Sequence, residues 1–174
     1  MMAAPSTALV GFVLGACTLA AASDAVSRRV PNLIPLAILC GVALERAHEG
    51  WTSLGSAVGA LALVLVIGTF AHARGWFGGG DVKLAAAVSA AFGLPACFAF
   101  LVLTGACGGV VALAVLLSTR RMTTAQALVT VDVLMRTRKV TLADKTATVP
   151  YAIAIAFGAL LTTAFLHLSV LKLS

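Results

Sequence analysis

The sequence predicts an all-α, polytopic membrane bundle of about six transmembrane helices, with the N-terminus outside and residues 1–174 forming one domain. Three observations carry this. Of 174 residues, 61% are hydrophobic and only 10% are charged, whereas soluble domains carry about a quarter charged residues. The apolar excess is gathered into blocks of membrane-crossing length. The basic residues fall between those blocks, with a strong bias to one side.

The first block runs from about Ser6 to Ser23, the second from about Leu33 to Leu44 and the third from about Leu54 to Ala71. The fourth, about Asp81 to Leu94, is followed after Pro95 by a fifth reaching Ser118. The sixth runs from about Pro150 to Val170. A helix rising about 1.5 Å per residue needs about 20 residues to cross the hydrocarbon core. The second and fourth blocks are short by that measure.

Loop charges set the orientation. With the N-terminus outside, Arg28, Arg29, Arg74, Lys83, Arg120, Arg121, Arg136, Arg138, Lys139 and Lys145 lie inside, and only Arg46 and Lys172 lie outside. Such a bias is the positive-inside pattern. Trp51 then falls at the outer boundary and Trp76 and Tyr151 at the inner one, depths that amphipathic rings prefer. Residues 119–148 form a cytoplasmic loop. Within it Leu128, Val131 and Leu134 or Met135 recur at helical spacing, and Thr123 or Thr124 can cap the start. This suggests an amphipathic helix on the bilayer surface, with Arg136, Arg138 and Lys139 near anionic headgroups.

Several function classes drop out. The net charge of +6 sits in short loops beside apolar runs rather than interleaved with aromatics, so nucleic acid is not an expected partner. Cys17, Cys40, Cys97 and Cys107 fall in apolar segments without a C-x-x-C pair. They read as small residues packed between helices. His48, His72 and His167 are scattered over both sides, and none has an evident partner in the sequence. Neither a metal site nor a cofactor is expected. Leu14-Gly15-Ala16-Cys17 has the form of a lipoprotein processing box, but no Lys or Arg precedes it. The N-terminal segment is therefore expected to stay as the first helix.

Two carboxylates remain. Asp81 follows Gly78-Gly79-Gly80 and opens an apolar run, and Asp24 ends the first. Ionisable residues at membrane boundaries are functional candidates by default. Taken singly, Asp81 reads equally as a helix N-cap and Asp24 as a partner of Arg28 or Arg29. Together they say more, because two crossings between them return the chain to the same, cytoplasmic, side. Three consecutive glycines exceed what a cap needs. They permit positive φ and close approach of another backbone. A carboxylate pair can share one proton, one member acting as base on a water and the other as acid on a leaving amine. A proton-coupled transporter with Asp24 and Asp81 as carriers, or a non-catalytic secretion scaffold, are the rival readings. The first requires the carboxylates near the bilayer midplane.

Gly78-Gly79-Gly80-Asp81-Val82-Lys83-Leu84 resembles the G-x-G-D-x-K-L signature of the prepilin peptidases, which are GxGD aspartic proteases. Asp24 followed by Arg28-Arg29-Val30-Pro31-Asn32 resembles that family's other motif, and Val149-Pro150-Tyr151-Ala152 the start of its last helix. The resemblance implies a multi-pass enzyme of the bacterial inner membrane. Its partners would be the precursors of type IV pilin-like proteins, whose basic leader it removes after a glycine at the cytoplasmic face. It also implies Asp24 and Asp81 as the catalytic pair, Gly78, Gly79 and Gly80 as the loop that shapes the site, and Lys83 in a positioning role. Pro31, Asn32, Pro150 and Tyr151 would be structural parts of the motifs. Larger members add a cytoplasmic region with paired C-x-x-C motifs that methylates the new N-terminus. This chain lacks those pairs, which implies cleavage without methylation, as in Flp-type pilus systems.

Overall fold

The computed structural model describes residues 5–27, 31–118 and 151–171. The protein is an all-helical membrane bundle. Its helices are α1 (Thr7–Ser27), α2 (Leu33–Glu49), α3 (Trp51–Ala73), α4 (Gly79–Ser118) and α5 (Tyr151–Leu171). Four of them contain apolar stretches long enough to cross a membrane: Thr7–Asp24, Trp51–Ala73, Gly79–Ala112 and Tyr151–Leu168. The chain divides into two compact units, Met1–Gly108 with Pro150–Ser174, and Gly109–Val149. In the second unit the described residues, 109–118, are helical. The expected amphipathic helix of loop 119–148 lies outside the described residues, as do Arg28, Arg29, Val30 and Pro150.

α4 resolves the sixfold count. Its 34-residue apolar stretch would reach about 50 Å if straight, far beyond a hydrocarbon core of about 30 Å. It is not straight. Gly93 interrupts it with φ 74° and ψ 173°, a left-handed φ that glycine adopts without a Cβ penalty. The chain turns back there. The Phe92 and Phe100 rings lie 5.6 Å apart, although eight residues of continuous helix would separate them by about 12 Å. The Tyr151 ring touches both Phe77, before the first arm, and the Gly108 position, in the second. Residues 79–92 and 94–108 are therefore antiparallel arms.

The break is capped by neighbouring helices. Arg46 Nη2 of α2 donates to the Ala91 carbonyl at 2.6 Å, satisfying the end of the first arm. The Ser56 hydroxyl of α3 accepts the Leu94 N–H at 3.0 Å, satisfying the start of the second. Pro95 has no N–H to satisfy, so it is tolerated in that first turn. The sequence places Arg46 among the outer-side loop charges. It is instead 4% exposed, with Nη1 donating to Glu49 and Ser53. This pairing lets α2 run on to Glu49, five residues beyond the apolar block that defines it in the sequence.

At the same end of the bundle, the Ser6 hydroxyl caps α1 by accepting the Leu9 N–H at 3.1 Å. Glu45 of α2 receives both the N–H and the hydroxyl of Ser6. α1 packs on α2 and on α5, and α2 on α3. The core is built from small residues, with Cys17, Ala20, Ala60, Ala87, Ala152 and Ala154 wholly buried. Small side chains let helix backbones approach closely where no hydrophobic effect drives association. The first arm is the most enclosed segment, buried without interruption from Ala86 to Gly93. Large apolar residues such as Leu19, Val66, Phe70, Phe98 and Val102 point outward, as a lipid solvent allows. Cys40 is among the exposed residues, so it does not pack between helices as the sequence suggested.

Candidate active site

The opposite end of the bundle gathers the end of α1, the starts of α2 and α5, the end of α3 and the start of α4. Asp24 lies in the last two turns of α1, half-buried. Pro31 and Asn32 lead into α2, where their carbonyls accept the N–H groups of Ile34 and Leu36. Asn32 occupies the N-cap position, yet its side chain makes no capping bond. Its Oδ1 instead accepts a hydrogen bond from Lys83 Nζ at 3.2 Å. That bond joins the two sequence motifs across 51 positions. Asp24 is close enough to Asp81 for their charges to interact.

Asp81 is not an N-cap residue. The Gly78 carbonyl accepts the Val82 N–H at 3.2 Å, which makes Gly78 the N-cap, Gly79 and Gly80 the first two helical residues, and Asp81 the third. The Asp81 carboxylate folds back toward this N-cap, with Oδ2 close against the Gly78 main chain. None of the three glycines has positive φ, so the left-handed conformation that glycine permits is not used, and Gly79 and Gly80 open the first turn of a helix. The reason for glycine at 78 is proximity. A Cβ built there would stand 2.8 Å from Asp81 Oδ2.

The segment before Gly78 is held from several sides. α3 ends in a Schellman turn, with Trp76 N–H on the Ala71 carbonyl at 3.0 Å and Gly75 N–H on the His72 carbonyl at 2.8 Å. Gly75 supplies the required left-handed residue at φ 75°. The Arg74 guanidinium lies over the Phe70 and Trp76 rings, 5.9 and 5.5 Å from their centroids. The Phe77 ring meets Tyr151, the first residue of α5, edge-on at 4.8 Å. His72 Nδ1 lies 2.8 Å from the Phe77 carbonyl.

Two carboxylates within electrostatic reach, at the mouth of an apolar bundle, suit proton transfer to and from a bound water or amide. The family model for the type IV leader peptidases matches residues 11–113, a span that holds both aspartates, the Pro31–Asn32 turn and the whole glycine motif. The chain belongs to the type IV leader peptidase family. No curated protein and no solved structure matches it. As a leader peptidase of this family it is a membrane protease whose substrates are of the prepilin type.

Sequence reasoning missed the roles of His72 and Arg46. Both side chains bind main-chain carbonyls, and a carbonyl leaves no trace in residue types.

Proposed function

We propose that this leader peptidase is an aspartic endopeptidase whose catalytic pair is Asp24 and Asp81. One carboxylate takes a proton from water as it attacks the scissile carbonyl, and the other protonates the departing amine. The substrate is a Flp-type pilin precursor, cut after the glycine that ends its basic leader. The site faces the cytoplasm in the bacterial inner membrane, because the basic loops of the sequence lie on that side. Cleavage proceeds without methylation of the new N-terminus. Gly78 and Gly80 shape the site, while Lys83 and Asn32 hold its two halves together. Residues 1–174 act as one peptidase domain.

The observation that supports this most is the Lys83–Asn32 hydrogen bond. It ties the segment after one aspartate to the motif that follows the other. The arrangement also disfavours a proton carrier, because both carboxylates lie at one end of the bundle rather than midway along it.

The test is co-expression with a Flp-type precursor and comparison of leader removal by wild type, Asp24→Asn and Asp81→Asn. Each isostere is expected to insert normally and to abolish cleavage. Undiminished processing by both variants refutes the aspartic mechanism.

A further inference from the structure

We infer that His72 is a positioning residue for Asp81, acting through the Phe77 carbonyl and the Gly78 main chain. The inference rests on the aspartic reading above and adds to it a residue outside both sequence motifs. A carbonyl oxygen only accepts, so the ring nitrogen 2.8 Å from it, Nδ1, carries the proton. The adjoining Cε1–Nε2 edge of the ring faces the start of α4. A Cβ built at Gly79 would stand 3.5 Å from His72 Cε1 and 3.7 Å from Nε2, ordinary van der Waals distances. The imidazole therefore sits between the last turn of α3 and the first turn of α4, bonded to the Phe77 carbonyl and facing Gly79 across the space a side chain there would fill.

Gly78 is the hinge of the arrangement, since the Asp81 carboxylate lies against its main chain and its carbonyl starts the helix. A peptide bond is planar, so fixing the Phe77 carbonyl fixes the orientation of the Gly78 N–H in the same peptide unit. The proton on His72 Nδ1 thus sets the orientation of the peptide unit against which the Asp81 carboxylate lies. His72 touches neither carboxylate in this chain of contacts. Its effect passes through one peptide plane.

The side-chain geometry gives a selective test. An Asn amide nitrogen falls near the Nδ1 position of histidine, whereas the Gln amide falls near Nε2. With a purified precursor bearing a basic leader, a terminal glycine and a following apolar helix, His72→Ala should lower kcat by roughly five- to tenfold, with KM unchanged. His72→Asn should restore kcat to within about threefold of wild type, and His72→Gln should stay as low as His72→Ala. Wild-type turnover by His72→Ala, equal activity of the Asn and Gln variants, or a change confined to KM overturns the inference. Asp81→Asn in the same assay separates it from failure of the aspartic reading.

A second readout needs no substrate. In nitrogen-15 spectra of histidine-labelled protein, the resonance lost in His72→Asn should show a proton on Nδ1. A bare Nδ1 overturns the inference even if activity changes.

Discussion

Gly78→Ala tests how closely the glycine motif is fitted to the aspartate. The added methyl carbon would stand 2.8 Å from Asp81 Oδ2, and ordinary carbon–oxygen contacts begin near 3.3 Å. The carboxylate must therefore withdraw by about 0.5 Å or rotate away from the Gly78 main chain. Misplacing a catalytic group by about 1 Å can cost a hundredfold, so a tenfold or somewhat larger loss of kcat is expected, about 1.4–2 kcal/mol. Because φ at Gly78 is not positive, backbone strain adds nothing to the effect. Gly79→Ala is the matched comparison. Its methyl would meet the His72 ring at ordinary distances, 3.5 Å from Cε1 and 3.7 Å from Nε2, and alanine at a helical position is worth up to about 1 kcal/mol over glycine. Initial rates of precursor cleavage, normalised to inserted protein, should fall no more than about threefold for Gly79→Ala. Equal damage from both variants, or none from either, refutes the assignment of Gly78 as the position that Asp81 crowds.

Three further outcomes follow from the contacts. Lys83→Met and Asn32→Leu should each slow cleavage several-fold, and the double variant should be no slower than the worse single one. Both side chains are exposed, so thermal midpoints should shift little. Additive losses in the double-mutant cycle would show that the two residues act separately. Arg46→Met removes the bonds to Glu49, Ser53 and the Ala91 carbonyl and should destabilise the bundle by about 3–5 kcal/mol in a detergent unfolding titration. A loss under about 1 kcal/mol would deny the cap at the α4 break. Gly93→Ala forces a side chain into a left-handed φ and against Ser56 Oγ, 2.9 Å from the built Cβ, so it should cost about 2–3 kcal/mol in the same titration. Unchanged stability would mean the break tolerates a side chain.

Much of the architecture was legible because apolar block length carries it. The interruption of α4 at Gly93 and Pro95 could be read from residue types alone, since no other pair so disfavours continuous helix. The end of α2 could not. Arg46 and Glu49 look like a polar loop until their mutual bond and the Ala91 carbonyl are in place. The same limit applied at the site. Asp24, Asp81, Lys83 and Asn32 announce themselves by type and spacing. The conformation of the three glycines does not, because glycine suits a left-handed loop and a crowded helical turn equally. It was the carboxylate folding back toward Gly78 that selected the helix.

The two caps on the α4 break also bear on how the chain enters the membrane. As one continuous helix the segment from Gly79 onward would be too long for the bilayer, and the described donor to the Ala91 carbonyl and acceptor for the Leu94 N–H both lie outside α4. Both groups come from residues synthesised earlier, Arg46 and Ser56. The α2–α3 hairpin thus serves as an internal template, already present when α4 arrives and needs folding back. By the same ordering, the Asp81 end of α4 is anchored before its second arm exists. The aspartate-bearing end of the bundle can be assembled from the first half of the chain, with Tyr151 of α5 closing on Phe77 last.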